Sequence, residues 1–272
     1  MRVLVTGGAG YVGRYVAAAL LERGDAVRIV DELSTGRAAA VPDVELVRAD
    51  LRRPGEAERA FRDGPWDAVV HTTASGSPAS SLRRPALCYD NDVVAGYRLL
   101  EAVRRHRVGV IVFSSTAAVY GEPERLPVGE EQAPVPAGPY GAAKLAFEEM
   151  LRWYGEAYGF RYVVLRCFNV AGASPERGLS DGDRSETHLI PSLVDAALGR
   201  RSRFVIYGDD YPTPDGTCIR DYVHVLDVAD AHLLALDRLL RGGPSRVYNV
   251  GSGAGFSVRE VYEAAVRVTG KS

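Results

Sequence analysis

The chain of 272 residues is 46% hydrophobic and 25% charged, and its formal net charge is −2 at pH 7. This balance is typical of a globular protein and gives no reason to expect nucleic acid or an anionic membrane as a partner. The three cysteines are widely spaced and form no C-x-x-C pair, so neither a disulfide framework nor a metal site is indicated. No run of about 18 apolar residues could cross a bilayer, and no signal peptide precedes the first apolar strand. We therefore expect a cytoplasmic protein.

A predicted strand at residues 3–6 runs into the glycine-rich turn GGAGYVG, which is followed by a predicted amphipathic helix at 15–23. Gly7, Gly10 and Gly13 allow a tight turn, close approach to a pyrophosphate, and close packing of helix on strand. The helix N-terminus adds free N–H groups and the positive end of its dipole. This order of strand, turn and helix predicts a dinucleotide site.

The second predicted strand, residues 26–30, ends at Asp31, about 20 residues beyond the glycines. A carboxylate at this position can bind both ribose hydroxyls of an adenosine and repel a 2′-phosphate. The sequence therefore favours NAD over NADP as the cofactor.

Strands and helices alternate along most of the remaining chain. Further strands are predicted at residues 44–48, 68–70, 110–113, 162–166, 204–207 and 247–250, and helices at 85–105, 140–158, 189–198, 227–240 and 258–269. The pattern predicts an α/β fold with a doubly wound parallel sheet of the Rossmann type, about seven strands, and a smaller C-terminal substrate cap. The predicted NAD-binding domain comprises residues 1–167 and 223–250, and the cap residues 168–222 and 251–272.

Tyr140 and Lys144 are separated by four residues on a predicted helix, so they share one face. An ammonium beside a phenol favours the phenolate and lowers the pKa of the tyrosine. Thr116 follows the strand at 110–113, and its catalytic interpretation depends on whether it lies near Tyr140 in space. His71 also follows a strand, and its simplest interpretation is a polar residue that is hydrogen-bonded in the core.

Five motifs together resemble the extended short-chain dehydrogenase/reductase family, and within it the UDP-glucose (UDP-galactose) 4-epimerases. They are VTGGAGYVG at the start, FSSTAAVYG around Thr116, PYGAAK around Tyr140, LRCFNVAG around Asn169, and YGDDYPTPDGTCIRDYVHV from Tyr207 to Val225. The resemblance extends from Arg2 to about Gly270. It implies NAD as the cofactor, a UDP-sugar as the substrate and a homodimer as the assembly.

The resemblance also implies a role for each matching position. Its catalytic residues are Thr116, Tyr140 and Lys144. Its cofactor-binding residues are Gly7, Gly10, Tyr11, Val12, Gly13, Asp31, Asp50, Leu51, Asn91, Lys144 and Phe168. Its substrate-binding residues are Thr116, Tyr140, Asn169, His188, Leu189, Tyr207 and Arg220.

The implied reaction is redox-neutral. Tyr140 takes the proton of the sugar 4-hydroxyl while the C4 hydride passes to NAD, and the 4-keto sugar turns over before hydride returns to its other face. Arg220 can bind a diphosphate through its planar fork of donors. From the residues alone, a structural ion pair of Arg220 with Asp221 or Asp227 is the simpler interpretation.

Several alternatives remain open at this stage. Sugar-nucleotide 4,6-dehydratases resemble this family, but they carry Asp-Glu where this chain has Ala117 and Ala118, whose methyl groups cannot transfer protons. A related epimerase or oxidoreductase with another substrate is a second alternative. A truncated, weakly active form or a non-catalytic NAD-binding protein is a third, although retention of Thr116, Tyr140 and Lys144 argues against the non-catalytic interpretation.

Two features depart from the pattern of the family. His71-Thr72-Thr73-Ala74 is more polar than is usual at this strand end, and Gly76 offers no side chain where the epimerases commonly place a larger one, so cofactor affinity is harder to predict than cofactor identity. The resemblance also stops at residues 270–272, whereas the epimerases continue. We therefore expect an incomplete cap, with Arg220 as the one matched basic contact, weak binding of the UDP-sugar and slow epimerisation.

Overall fold

The computed structural model describes residues 1–36, 44–73, 78–179 and 188–271. Its main sheet contains seven parallel strands in the order β3-β2-β1-β4-β5-β6-β9. These strands are β1 (Arg2–Thr6), β2 (Ala26–Asp31), β3 (Glu45–Arg48), β4 (Ala68–His71), β5 (Val110–Thr116), β6 (Arg161–Cys167) and β9 (Arg246–Val250). The predicted doubly wound fold is therefore confirmed.

Helices cover both faces of this sheet. Five of them are α1 (Tyr11–Glu22), α2 (Glu56–Ala60), α5 (Ala95–Arg105), α6 (Pro139–Tyr158) and α8 (Val225–Leu240). Because side chains alternate along a strand, Val3 and Val5 pack toward α1 and α8, whereas Leu4 packs toward α2, α5 and α6. The strands are thus buried on both faces, as expected for a parallel sheet.

The predicted helix at 85–105 is divided. It comprises α4 (Pro85–Cys88), a π-helical turn (Tyr89–Val94) and α5, and it is preceded by the short helix α3 (Pro78–Arg83). The π-helical turn packs against α6. Helix α1 begins at Tyr11, directly after the glycine turn and earlier than predicted.

The C-terminal part contains a second sheet that the sequence pattern did not reveal. Its three short strands, in the order β10-β8-β7, are β7 (Asn169–Ala171), β8 (Ile219–His224) and β10 (Gly255–Ser257). Helices α7 (Leu189–Ala197) and α9 (Val258–Thr269) pack on each other beside it. The predicted strand at 204–207 was wrong, because these residues pair with no strand of the described chain.

Parts of two predicted features lie outside the described residues. They are residues 74–77, which include Gly76, and residues 180–187 of the predicted cap. Among the described helices, none is both long and apolar enough to span a bilayer.

Candidate active site

A cavity of about 2000 Å³ opens at the carboxyl ends of the main strands. Its walls include the glycine turn, the ends of β2, β5 and β6, the first turn of α6, and parts of the C-terminal sheet. Ligands of open parallel sheets bind at this edge, where the strand order reverses between β1 and β4. The volume exceeds that of a typical pocket for one small molecule, so it can hold a dinucleotide together with a second ligand.

The glycine turn fits a dinucleotide pyrophosphate. Gly7 has a φ of +73°, and a Cβ there would lie 2.7 Å from the Thr73 nitrogen. A Cβ on Gly13 would lie 2.2 Å from the Gly7 carbonyl oxygen and 2.6 Å from Thr72 Oγ1. Gly10 caps α1 without a side-chain hydrogen bond to its N–H groups. These N–H groups and the dipole end can therefore bind an anion.

Asp31 and Asp50 are the carboxylates predicted to bind the cofactor at the adenosine end of the cavity. Asp31 accepts hydrogen bonds from the Ala9 and Leu33 amides at 3.0 and 2.8 Å, which orients its carboxylate at the end of β2. Burial raises the pKa of Asp31 above its ordinary value, although both amide hydrogen bonds oppose this effect. Asp50 lies in the same cavity wall and binds Arg52 at 2.8 Å. Hydrogen bonding from Arg52 lowers the pKa of Asp50.

The other residues predicted to bind the cofactor are found around the same cavity. Those that line it are Tyr11, Val12, Leu51, Asn91 and Phe168. The Tyr11 hydroxyl also donates to the Gly172 carbonyl at 2.6 Å, which ties the glycine turn to the segment after β7. Gly13 packs behind the turn instead of facing the cavity.

Thr116 and Tyr140 meet in space although they lie on different elements. Thr116 ends β5, where its hydroxyl accepts from the Ala118 amide at 3.1 Å and hydrogen-bonds with the half-buried Tyr140. Because the Ala118 amide donates to the Thr116 oxygen, the hydroxyl proton of Thr116 can be directed at Tyr140 or at a ligand. The condition for the catalytic interpretation of Thr116 is therefore met.

Lys144 lies one turn further along α6 and is only 1% exposed. Its Nζ donates to the Thr73 carbonyl at 2.6 Å and pairs with Asp92 Oδ1 at 3.0 Å. It also lies 5.0 Å from the centre of the Phe113 ring. Burial works to lower the pKa of Lys144, but Asp92 and Tyr140 outweigh it and raise that pKa above the ordinary value. Lys144 is therefore a fixed positive charge at neutral pH.

The expected lowering of the Tyr140 pKa is not found. Burial raises the pKa of the hydroxyl above its ordinary value, and the Asp92 carboxylate acts in the same direction. Lys144 opposes both effects, as the sequence predicted, and so does the hydrogen bond from Thr116, but together they do not outweigh them. Tyr140 is therefore a neutral hydroxyl at neutral pH.

Most of the residues predicted to bind substrate belong to the same cavity. Asn169, His188, Leu189 and Arg220 all line it. Arg220 is exposed, and one guanidinium N–H donates to the Ile219 carbonyl at 2.8 Å. Tyr207 is 87% exposed and is not among the residues that line the cavity.

The ion pair of Arg220 with Asp221 or Asp227, the simpler interpretation of the sequence, is not found between these described residues. Asp221 accepts from the Ser252 amide at 2.8 Å and from the Gly253 amide at 2.9 Å. Its carboxylate thus stabilises the turn after β9. The remaining guanidinium donors of Arg220 fit a phosphate.

Sequence reasoning missed Asp92, which is 1% exposed and bonded to Lys144. A signal was present, because Asp92, Gly96, Leu99 and Val103 fall on one buried side of the segment that leads into α5. An acidic residue on an apolar face requires a partner. His71, by contrast, is a core residue as expected: it is fully buried and its Nδ1 lies 2.6 Å from Thr6 Oγ1.

The chain is similar to known proteins over nearly its whole length. The family model described as the NAD dependent epimerase/dehydratase family matches residues 3–251. A UDP-glucose 4-epimerase of Halalkalibacterium halodurans is 46% identical over 99% of this chain and 81% of its own length. The structure of UDP-glucose 4-epimerase from Brucella ovis in complex with NAD has a TM-score of 0.94 and 44% identity, over 98% of this chain and 82% of that one.

A third relative was solved with two ligands. The UDP-glucose 4-epimerase from Bifidobacterium longum, in complex with NAD⁺ and UDP, has a TM-score of 0.94 and 35% identity, over 100% of this chain and 84% of that one. The fold and the site together define an NAD-dependent enzyme of the short-chain dehydrogenase/reductase type. The chain belongs to the NAD dependent epimerase/dehydratase family. The relatives support NAD-dependent 4-epimerisation of a nucleotide sugar, so the predicted family, reaction class and cofactor are confirmed.

Proposed function

We propose that Tyr140, Lys144 and Thr116 carry out the 4-epimerisation, with UDP-glucose and UDP-galactose as the substrate pair. The observation that carries this assignment is the convergence of the three residues on one wall of the cavity. Tyr140 hydrogen-bonds with Thr116, and Lys144 is buried one turn away on the same helix. Dehydration is disfavoured, because the residues after Thr116 in this wall are Ala117 and Ala118.

The proton is exchanged at the Tyr140 hydroxyl oxygen. Bound NAD supplies the hydride acceptor and donor for C4 of the sugar. Thr116 donates to the Tyr140 oxygen, and Lys144 favours its phenolate form. Tyr140 can therefore take the 4-hydroxyl proton as the hydride leaves and return it to the 4-keto oxygen when hydride comes back to the other face.

The residues of this chain that would hold NAD are those around the glycine turn and Asp31. The N–H groups at the start of α1 would bind the pyrophosphate, and Asp31 would bind the ribose diol. Arg220, Asn169, His188 and Leu189 would bind the UDP portion of the substrate, because they line the same cavity as the glycine turn. Tyr207, as an exposed residue, would reach substrate only if its loop moved inward.

The reaction is tested by incubating the chain and NAD with UDP-galactose and separating the products by chromatography. UDP-glucose should accumulate to an equilibrium mixture without net NADH. An oxidoreductase with this site would instead form NADH in proportion to the substrate consumed, and that result would overturn the proposed reaction. Parallel incubations with UDP-N-acetylgalactosamine and a UDP-pentose would define which sugar is used.

A homodimer through α5 and α6 is the proposed assembly. These helices pack together and expose Tyr97 by 50% and Trp153 by 57%. Exposed aromatic side chains on adjacent helices are typical of association surfaces. Sedimentation should give a dimer that Trp153→Ser weakens, whereas Leu234→Ser, at a more exposed apolar residue of α8, should leave it intact. A monomeric parent would contradict the assembly.

We propose a cytoplasmic location on the basis of thiol chemistry. Cys88, Cys167 and Cys218 are all free, and the first two are buried. Free thiols are typical of proteins in a reducing compartment.

A further inference from the structure

The Lys144–Asp92 pair places two full charges in the interior beside the reactive tyrosine. Both side chains are 1% exposed, and their Nζ and Oδ1 atoms are 3.0 Å apart. Asp92 lies in the π-helical turn that packs against α6, and π-helical turns within helices are frequent at functional sites. At this depth each of the two charges is stabilised by the other.

The other titratable groups around Tyr140 are neutral or paired elsewhere. Burial raises the pKa of the Cys167 thiol, at the end of β6, to about 12. Burial lowers the pKa of His71, at the end of β4, to about 3. Glu148, one turn beyond Lys144 on α6, is bound to Arg166 of β6 at 2.7 Å. Among the described residues packed around Tyr140, the charges that act on it at neutral pH are therefore Lys144 and Asp92.

These two charges have opposite effects on the Tyr140 hydroxyl. The ammonium favours the phenolate, and the carboxylate opposes it. The net charge of the pair is zero. The electrostatic effect on the Tyr140 hydroxyl is therefore the difference between two opposing contributions, which is smaller than the effect of a lone positive charge. The carboxylate also directs the ammonium, whose second hydrogen bond goes to the Thr73 carbonyl.

We propose that Asp92 is a positioning residue that fixes the Lys144 ammonium and sets how much of its charge acts on Tyr140. The proposal deepens the proposed function, since it rests on Tyr140 as the proton-transfer group. Its consequence is a site that keeps a buried lysine charged but holds the tyrosine protonated until ligands change the balance of charge.

The direct test is the ionisation of Tyr140 in the ligand-free protein. Tyrosine labelled with ¹³C at the ring carbon that bears the hydroxyl gives a signal that Tyr140→Phe assigns, and its titration midpoint is compared between the parent and Asp92→Asn. Asparagine keeps the size of the side chain but removes the charge. The midpoint should fall by about one pH unit or more, the size of effect that a nearby buried charge has on a pKa. Asp90→Asn, an exposed acid in the same π-helical turn, should leave the midpoint unchanged.

The rate of epimerisation gives a separate readout. In Asp92→Asn the acidic limb of the pH profile of kcat should move to lower pH, while KM for UDP-galactose stays within about twofold, because no contact to the nucleotide is lost. An unchanged Tyr140 midpoint in a folded Asp92→Asn protein would overturn the proposal, whatever its rate. A lowered midpoint with an unmoved rate profile would instead support the coupling and overturn Tyr140 as the proton-transfer group.

A second comparison covers the case in which Asp92→Asn does not fold. Lys144→Gln with Asp92→Asn removes both charges at once, and the parent midpoint should be kept to within about half a pH unit if Asp92 cancels most of the Lys144 field. If Asp92 has no effect on Tyr140, removing both charges should raise the midpoint by the full contribution of Lys144. That rise would overturn the proposal.

Discussion

Helix α6 contributes to two buried ion pairs, one turn apart, that have different surroundings. Glu148 binds Arg166 through both carboxylate oxygens, and Ser115 and Tyr120 complete the set of hydrogen bonds. Lys144 instead binds one carboxylate oxygen of Asp92 and one backbone carbonyl, and it lines the cavity.

The two ion pairs differ in whether a ligand can change their surroundings. A buried pair whose donors and acceptors are all bonded is rigid, and removing one member leaves an uncompensated charge. A pair whose cation lines a cavity can respond to a ligand. The Glu148–Arg166 pair therefore joins β5, β6 and α6 as a structural scaffold. The Lys144–Asp92 pair instead acts on the ionisation of Tyr140.

The largest expected effect comes from removing the group on which Lys144 acts. Tyr140→Phe should reduce turnover by about 10²- to 10⁴-fold, because the proton-transfer hydroxyl is lost. Binding of NAD should persist, since the ring remains. Turnover and calorimetric NAD affinity are measured together, with Tyr158→Phe, an exposed tyrosine of the same helix, as the control. Turnover within a few fold of the parent would require another base.

The scaffold pair is tested by stability. Arg166→Met should lower the free energy of unfolding by roughly 3–5 kcal/mol, because Glu148 would be left buried without its cation. The double change Glu148→Leu with Arg166→Met should recover part of that loss. Urea unfolding gives the free energies, and the protein that remains folded should keep its turnover. Loss of turnover without loss of stability would contradict the distinction between the two pairs.

His232 differs from both ion pairs, because it is a buried titratable group without a counter-charge. It is fully buried on α8, and burial lowers its pKa from 6.5 to about 4, although its hydrogen bond to the Val228 carbonyl opposes this. Below pH 6.5 the unfolded chain therefore binds a proton that the folded protein does not. Stability should fall as pH drops from 6.5 toward 4, by about 3 kcal/mol from this residue. Urea unfolding across this range should show a smaller fall in His232→Leu, and parallel curves for the two proteins would refute the assignment.

The smallest expected effect is that of Asp31, a carboxylate at the adenosine end that takes part in binding and not in the chemistry. Asp31→Ala should weaken NAD binding by about 2 kcal/mol, roughly thirtyfold, through loss of a charged hydrogen bond, and should relax discrimination against NADP. Calorimetric titration with both dinucleotides measures these changes. Equal affinity of the parent for NAD and NADP would show that Asp31 does not select the cofactor.

The sequence by itself determined those features that depend only on residues close together along the chain. The glycine turn after an apolar strand, the alternation of strands and helices, and the four-residue spacing of Tyr140 and Lys144 all depend on neighbours along the chain. The small C-terminal sheet was not predicted, because its strands are short and show no clear alternation of apolar and polar residues. The apolar run at 204–207 was misread as a strand because a strand requires a partner, and periodicity does not show whether one exists.

Only the tertiary structure decided the electrostatics of the site. The contact of Thr116 with Tyr140 and the pairing of Asp92 with Lys144 join elements that are distant along the chain. The Tyr140 pKa was expected to fall because the sequence shows Lys144, but it rises because burial and Asp92 enter only when the chain is folded. Spacing along a helix fixes which side chains share a face, whereas desolvation and opposing charges depend on everything that packs against that face.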